Sequence, residues 1–247
     1  MSDFQGKHFL VVGAYSGIGL AAAQRLAREG ATIVGVGRSR EKLAAALATL
    51  AGSGHEALVA AAAVWEQLQG AVPIGRKLGG YAGLLVSAGL HEVRPLSVLD
   101  SESLHRSFEA NVNTAILATR ALSKASRKKG ASVVWLSSIA ALRGTATFTA
   151  YAAAKGALIS AARAIAVELA SRHIRINVIA AGVVRTAMSR AWLSHLNEEQ
   201  LAAVEKDHPL GLGTPDQVAG VIRFLLSEDS AWMTGSVLTV DGGLAAK

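Results

Sequence analysis

The sequence contains no cysteine among its 247 residues. That absence excludes a disulfide scaffold, a thiolate zinc site, an iron–sulfur cluster and a cysteine nucleophile together. Proline is scarce too, with four in the whole chain, and no low-complexity linker, internal repeat or compositional break divides it. A single domain over 1–247 is the economical organisation at this length. Charged residues make up only 17% and hydrophobic ones 51%, the opposite of a chain too polar to build a core. Aromatics are 5% and the net charge is +7. Lys and Arg are scattered, and no zinc-finger, RNA-recognition or helix-turn-helix pattern accompanies them, which argues against nucleic acid. A protein using this charge to hold DNA would bind it tightly and with steep salt dependence.

Long apolar runs are missing as well. The longest stretch free of charged residues, 8–24, has 17 residues. It falls short of a bilayer span, and Gly13, Gly17 and Gly19 interrupt it. With Lys7 before it and Ala21-Ala22-Ala23 inside it, the stretch imitates a signal peptide, but its glycines fit a phosphate-binding turn better. The expectation is a cytoplasmic protein with no membrane partner and no metal.

One basic cluster stands out: Arg120, Lys124, Arg127, Lys128 and Lys129. On a helix, Arg120, Lys124 and Arg127 or Lys128 share a face. Two readings are open: a solvated helix end whose cations suit the C-terminal dipole, or a landing patch for an acidic partner.

Short runs rich in Val, Ile and Leu alternate with helix-like stretches along the whole chain. Strands are predicted at 8–14, 31–37, 56–61, 83–89, 132–138, 174–182 and 236–241. Most are apolar on both faces, as in a parallel sheet covered by helices. Helices are predicted at 20–29, 42–50, 103–128, 150–171 and 215–226. The alternation gives an α/β fold, a Rossmann-type doubly wound parallel sheet. The connection 65–80 holds Gly70, Pro73, Gly75, Gly79 and Gly80 and is expected to be irregular or broken. The stretch 186–213, between the sixth and seventh strands, is either a lid over the ligand side of the sheet or an ornamental pair of surface helices.

The first strand ends in Gly13-Ala14-Tyr15-Ser16-Gly17-Ile18-Gly19. Glycines there let the backbone turn sharply and let a pyrophosphate approach the helix that follows. The spacing is G-x-x-x-G-x-G. After the second strand comes Arg38-Ser39-Arg40, with no acid where an NAD enzyme usually places one for the ribose hydroxyls. Arginine suits a 2′-phosphate, so NADP(H) is favoured over NAD(H); the alternative is that both arginines are ordinary surface residues.

Seven pieces then follow in order: the Gly13/Gly17/Gly19 turn, Ser87-Ala88-Gly89, Asn111, Ser138, Tyr151-Ala-Ala-Ala-Lys155, the segment from Ala181 through Gly182 and Val184 to Thr186, and Asp241-Gly242-Gly243. Over nearly its whole length the chain resembles the short-chain dehydrogenase/reductase family of about 250 residues, and within it the 3-oxoacyl-carrier-protein reductases. The resemblance implies that Gly13, Tyr15, Ser16, Gly17, Ile18, Gly19, Arg38, Ser39, Ala88 and Gly89 hold the cofactor. Tyr151, Lys155, Gly182, Val184 and Thr186 complete that set by the same implication.

Tyr151 and Lys155 leave one helix face a turn apart. A phenol with a pKa near 10 is a poor acid at neutral pH, and a nearby ammonium is expected to lower it toward the working range. Ser138 is expected to hydrogen-bond the substrate oxygen beside the phenol. By resemblance, Lys155 also binds the nicotinamide ribose and Asn111 supports a water chain. Tyr151 would then protonate a carbonyl oxygen as hydride reaches the carbon, interconverting ketone and secondary alcohol. A non-catalytic NADP sensor on the same fold is the alternative, although the complete set of Ser138, Tyr151 and Lys155 counts against it.

Departures from the family pattern are an alanine-rich 57–64 in place of an adenine-binding Asp, Val86 at the first position of the usual Asn-Asn-Ala-Gly, and Ala181 for the usual Pro. Substrate-facing candidates are His91, Glu92, Val93 and Arg94, residues after Ser138 up to Arg143, and Met188 and Trp192 of the lid. Lys129 and Arg172 would suit an acidic acyl carrier, or are solvated charges. The apolar helix 150–170 points to a homo-oligomer, by resemblance a tetramer.

Overall fold

The computed structural model describes residues 3–246. Seven strands form one parallel sheet: β1 (His8–Val12), β2 (Thr32–Gly37), β3 (Glu56–Val59), β4 (Tyr81–Val86), β5 (Ala131–Ser138), β6 (Ile174–Ala181) and β7 (Val237–Val240). Their order is β3-β2-β1-β4-β5-β6-β7. The chain therefore winds outward one way from β1 and the other way from β4, and the crevice beyond the carboxyl ends of these two strands is where such sheets take ligands.

Alternation along each strand feeds two cores. Leu10, Val34, Leu84, Val133 and Ile176 pack on one face beneath α6 (Thr114–Lys124) and α7 (Thr149–Leu169). Phe9, Val11, Ile33, Leu85, Val134 and Ile179 pack on the other, beneath α1 (Gly17–Arg28) and α10 (Pro215–Leu226). The inner strands β4, β5 and β6 are buried nearly throughout, whereas the edge strands β3 and β7 are partly exposed. The expected double-sided burial holds for the centre of the sheet, because only the centre has helices over both faces.

The helix after β2 is α2 (Arg40–Leu47). The connection 65–80 breaks into α3 (Trp65–Leu68) and α4 (Ala71–Lys77), with Pro73 tolerated in the first turn of the second. Tyr81 anchors it by donating its hydroxyl to Ala71 O at 2.8 Å.

The continuous helix expected over 103–128 is corrected. It is split into α5 (Ser101–Phe108) and α6 by a π turn over Glu109–Asn113. Beyond Lys124 the chain leaves the helix because Ala125 O accepts from Tyr81 N at 2.8 Å, tying the turn to the start of β4. Helix α7 is long and apolar enough to cross a bilayer by length and composition alone. Its Leu158, Ala162 and Ala166 are instead buried in the core at helical spacing. The stretch 186–213 carries α8 (Ala187–Leu193) and α9 (Glu198–Asp207).

Candidate active site

Two adjoining clefts run past the carboxyl ends of the central strands. One, of about 560 Å³, is lined by Gly13, Tyr15, Ser16, Gly17, Arg38 and Ala88 among others. The other, of about 460 Å³, is lined by Asn111, Ser138, Tyr151, Lys155, Gly182 and Val184 among others. Ile18, Gly89, Leu136 and Thr186 line both, so the clefts form one groove.

The first cleft fits a dinucleotide. Gly13 has φ +88, and a Cβ on it would stand 2.8 Å from Ala88 N; only glycine lets the β1 turn close against the β4 turn. Ser16 begins α1 without a side-chain cap, and no acid sits in the first turn. The positive end of this twelve-residue helix therefore faces the groove unneutralised, which suits a pyrophosphate. Arg38 stands exposed on the wall, and Ala60 to Ala63 form an apolar patch where no carboxylate is available to adenine.

Two of the expected cofactor residues do not line the groove. A Cβ on Gly19 would collide with Gly13 O and Ser87 Oγ, so this glycine permits close helix packing. Ser39 caps α2, accepting from Lys42 N at 3.3 Å.

In the second cleft, Ser138 ends β5 and accepts from Ala140 N at 3.2 Å through its Oγ. Lys155 is buried, 6% exposed at the floor of the cleft. Its Nζ donates to Leu136 O at 3.0 Å and lies over the Tyr151 ring, 5.6 Å from its centre. Asn111 sits in the π turn, buried, and its Nδ2 donates to Ser107 O at 2.8 Å and Leu90 O at 3.1 Å. Its Oδ1 is buried with no partner among the described residues. A Cβ on Gly89 would collide with that oxygen and come within 3.3 Å of Lys155 Nζ. The π turn thus points an unused acceptor toward the lysine end of the site.

The expectation that Lys155 depresses the Tyr151 pKa is not met in this structure. Burial pushes the Tyr151 phenol up, and its hydrogen bond with Ser138 opposes that only in part. Burial also brings Lys155 down to about 8. Enclosure penalises both charged forms, phenolate and ammonium.

Sequence reasoning named His91, Tyr151 and Trp192 separately but missed Phe148, which joins them in an aromatic wall. His91 meets Tyr151, Phe148 and Trp192 edge-on, with ring centres 4.8, 5.1 and 5.9 Å apart. Phe148 and Trp192 lie 6.0 Å apart. Phe148 precedes α7 by one residue and stands three before Tyr151, the spacing that was available as a signal. Burial first, and the Lys155 charge second, hold the His91 pKa down, so its ring is an uncharged member of the wall. Met188 and Trp192 of α8 line the cleft. His208 was also missed. It is buried, with Nε2 accepting from Val183 N at 3.2 Å and Nδ1 donating to Val204 O at 2.7 Å. That pins the backbone between Gly182 and Val184, and nothing in the sequence marks it.

Comparison with known proteins agrees with this geometry. A family model described as Enoyl-(Acyl carrier protein) reductase matches residues 13–245. Human Dehydrogenase/reductase SDR family member 4 is 35% identical over 246 residues, covering 96% of this chain and 87% of that protein. The 3-oxoacyl-[acyl-carrier-protein] reductase FabG of Escherichia coli K12 is 32% identical over 245 residues, covering 98% of each. The solved short-chain type dehydrogenase/reductase from Mycobacterium ulcerans superposes with a TM-score of 0.91 at 31% identity, over 99% of this chain and 91% of that one. With a glycine-turned nucleotide cleft leading into a Ser138, Tyr151 and Lys155 cluster, the chain belongs to the short-chain dehydrogenase/reductase family of oxidoreductases.

Proposed function

We propose that this protein is an NADPH-dependent reductase that interconverts a ketone and a secondary alcohol, with Tyr151 as the general acid and base. The observation that carries the reading is the convergence of Ser138, Tyr151 and Lys155 on one cleft continuous with the nucleotide cleft. The chemistry that a bound nicotinamide supplies is hydride, delivered to the carbonyl carbon. Ser138 and Tyr151 hold the carbonyl oxygen by hydrogen bonds, and the Tyr151 proton passes to that oxygen as it gains charge. Lys155, close under the ring, favours the tyrosinate left behind and orients the ribose. The unused Asn111 Oδ1 accepts from a water that returns the proton.

Arg38, exposed on the wall of the nucleotide cleft and in no ion pair among the described residues, supports a 2′-phosphate and hence NADP(H) over NAD(H). The aromatic wall and Met188 favour a substrate whose carbonyl carries an apolar or ring-bearing substituent. The similarity to a 3-oxoacyl reductase keeps carrier-bound acyl chains in that class; Lys129 and Arg172 are exposed but stand just before β5 and β6, at the strand ends away from the catalytic groove. Val167 on the outer face of α7 is 80% exposed, which supports burial of that face in a homotetramer, checked by light scattering. NADPH oxidation against ketones, aldehydes and free and carrier-bound 3-oxoacyl thioesters tests the function. Turnover of at least one class supports it, and no turnover across the panel rejects it.

A further inference from the structure

We propose that a cationic pocket at the foot of the sheet, at the opposite ends of the strands from the catalytic groove, binds a small tetrahedral oxyanion of the phosphate class. Lys7 precedes β1, Arg127 and Lys129 lie in the turn before β5, and His173 and Arg175 flank the start of β6. These side chains line a pocket of about 50 Å³. On this scale one water needs about 10–15 Å³, so the space suits a group of a few heavy atoms. Its lining carries four fixed positive charges, on Lys7, Arg127, Lys129 and Arg175, against one carboxylate, Glu228.

The protein does not neutralise this charge by itself. Lys7 Nζ lies 3.6 Å from Glu228 Oε1. Arg175 spends its guanidinium on the carbonyls of Met233, Ser227 and Leu225, at 3.1, 3.0 and 3.4 Å. Arg127 and Lys129 form no ion pair among the described residues, and Arg127 Nε is buried without an acceptor. A buried guanidinium N–H that has left water without finding an acceptor is a group in want of one.

The turn that carries these two cations is held firmly. Arg127 N donates to Tyr81 O at 3.1 Å, and Gly130 N donates to Arg127 O at 3.1 Å. Gly130 has φ +91, and any Cβ there would collide with His173 O. A turn whose backbone is fixed in advance loses little freedom when an anion arrives. A tetrahedral oxyanion, with acceptors on every side, matches donors that converge from three strand ends.

Calorimetric titration of the purified full-length chain with inorganic phosphate, at constant ionic strength, tests the proposal. A second arm uses glycerol 3-phosphate to separate free phosphate from a phosphomonoester. Arg38→Ala serves as control because the nucleotide cleft also attracts phosphate. The expected result is one site retained in Arg38→Ala and weakened roughly tenfold in Arg127→Gln. Lys129→Gln, at an exposed position that cannot upset packing, is expected to weaken it in the same direction. Wild-type protein that binds neither compound at millimolar concentration overturns the proposal. So does binding that Arg38→Ala abolishes and Lys129→Gln and Arg127→Gln leave unchanged.

Discussion

His91 and Tyr151 meet edge to face, their ring centres 4.8 Å apart and their planes 85° apart. The imidazole therefore packs against the phenol that carries the proposed proton transfer, while Phe148 and Trp192 close the same wall. His91→Ala is expected to raise KM for bulky apolar ketones about tenfold, the loss of one well-packed ring. Affinity for NADPH is expected to stay within about twofold. Steady-state kinetics and fluorescence titration separate the two. Equal losses in both would mean that His91 supports the whole site and not the substrate wall.

The pH dependence follows from Lys155, whose ammonium titrates at about 8. Below that pH it is charged and favours tyrosinate; above it the charge is lost. The expected kcat/KM for ketone reduction falls as pH rises through about 8. A profile flat from 7 to 9 would contradict the enclosed lysine.

The same shift makes Lys155 a cost to stability. Its folded pKa lies below the ordinary lysine value of 10.5, so between about 8 and 10.5 the unfolded chain binds more protons and stability rises with pH. Below about 8 both states carry the proton and the whole cost is present. Lys155→Met is therefore expected to stabilise the protein at pH 7 by up to about 3 kcal/mol in urea unfolding, while reduction is lost. A destabilised variant would show that the bond to Leu136 O outweighs the burial.

Two glycines are expected to respond in opposite ways. A Cβ at Gly19 collides with Gly13 O, so Gly19→Ala is expected to cost about 1–3 kcal/mol and to weaken cofactor binding. A Cβ at Gly156, inside α7, meets nothing within 4 Å. Gly156→Ala is expected to stabilise by about 0.5–1 kcal/mol. Parallel thermal melts check both.

Much of this was legible in the sequence, for identifiable reasons. The seven strands are apolar runs separated by helical patterns, and motif order placed Gly13, Ser138, Tyr151 and Lys155 in one groove. The π turn at Asn111 was not, because helix-favouring residues on both sides conceal a one-residue insertion. Leu136 O, which holds Lys155, is a backbone acceptor and carries no residue signature. The sign of the Tyr151 shift was misread because i, i+4 spacing reports proximity to a cation, while burial is the larger effect here, and it comes from tertiary neighbours such as His91 that pack on the ring.

Cofactor preference rests on Arg38. Arg38→Ala is expected to weaken NADPH about tenfold or more and to leave NADH nearly unchanged, since only one of them carries the 2′-phosphate. Equal losses would remove the argument for that phosphate.

The most direct test of the central claim is single-turnover oxidation of NADPH by Tyr151→Phe with a ketone that the wild type reduces. The rate is expected to fall about 10²–10⁴-fold with NADPH affinity retained, since only the proton is removed. A Tyr151→Phe protein that turns over at the wild-type rate would contradict that claim.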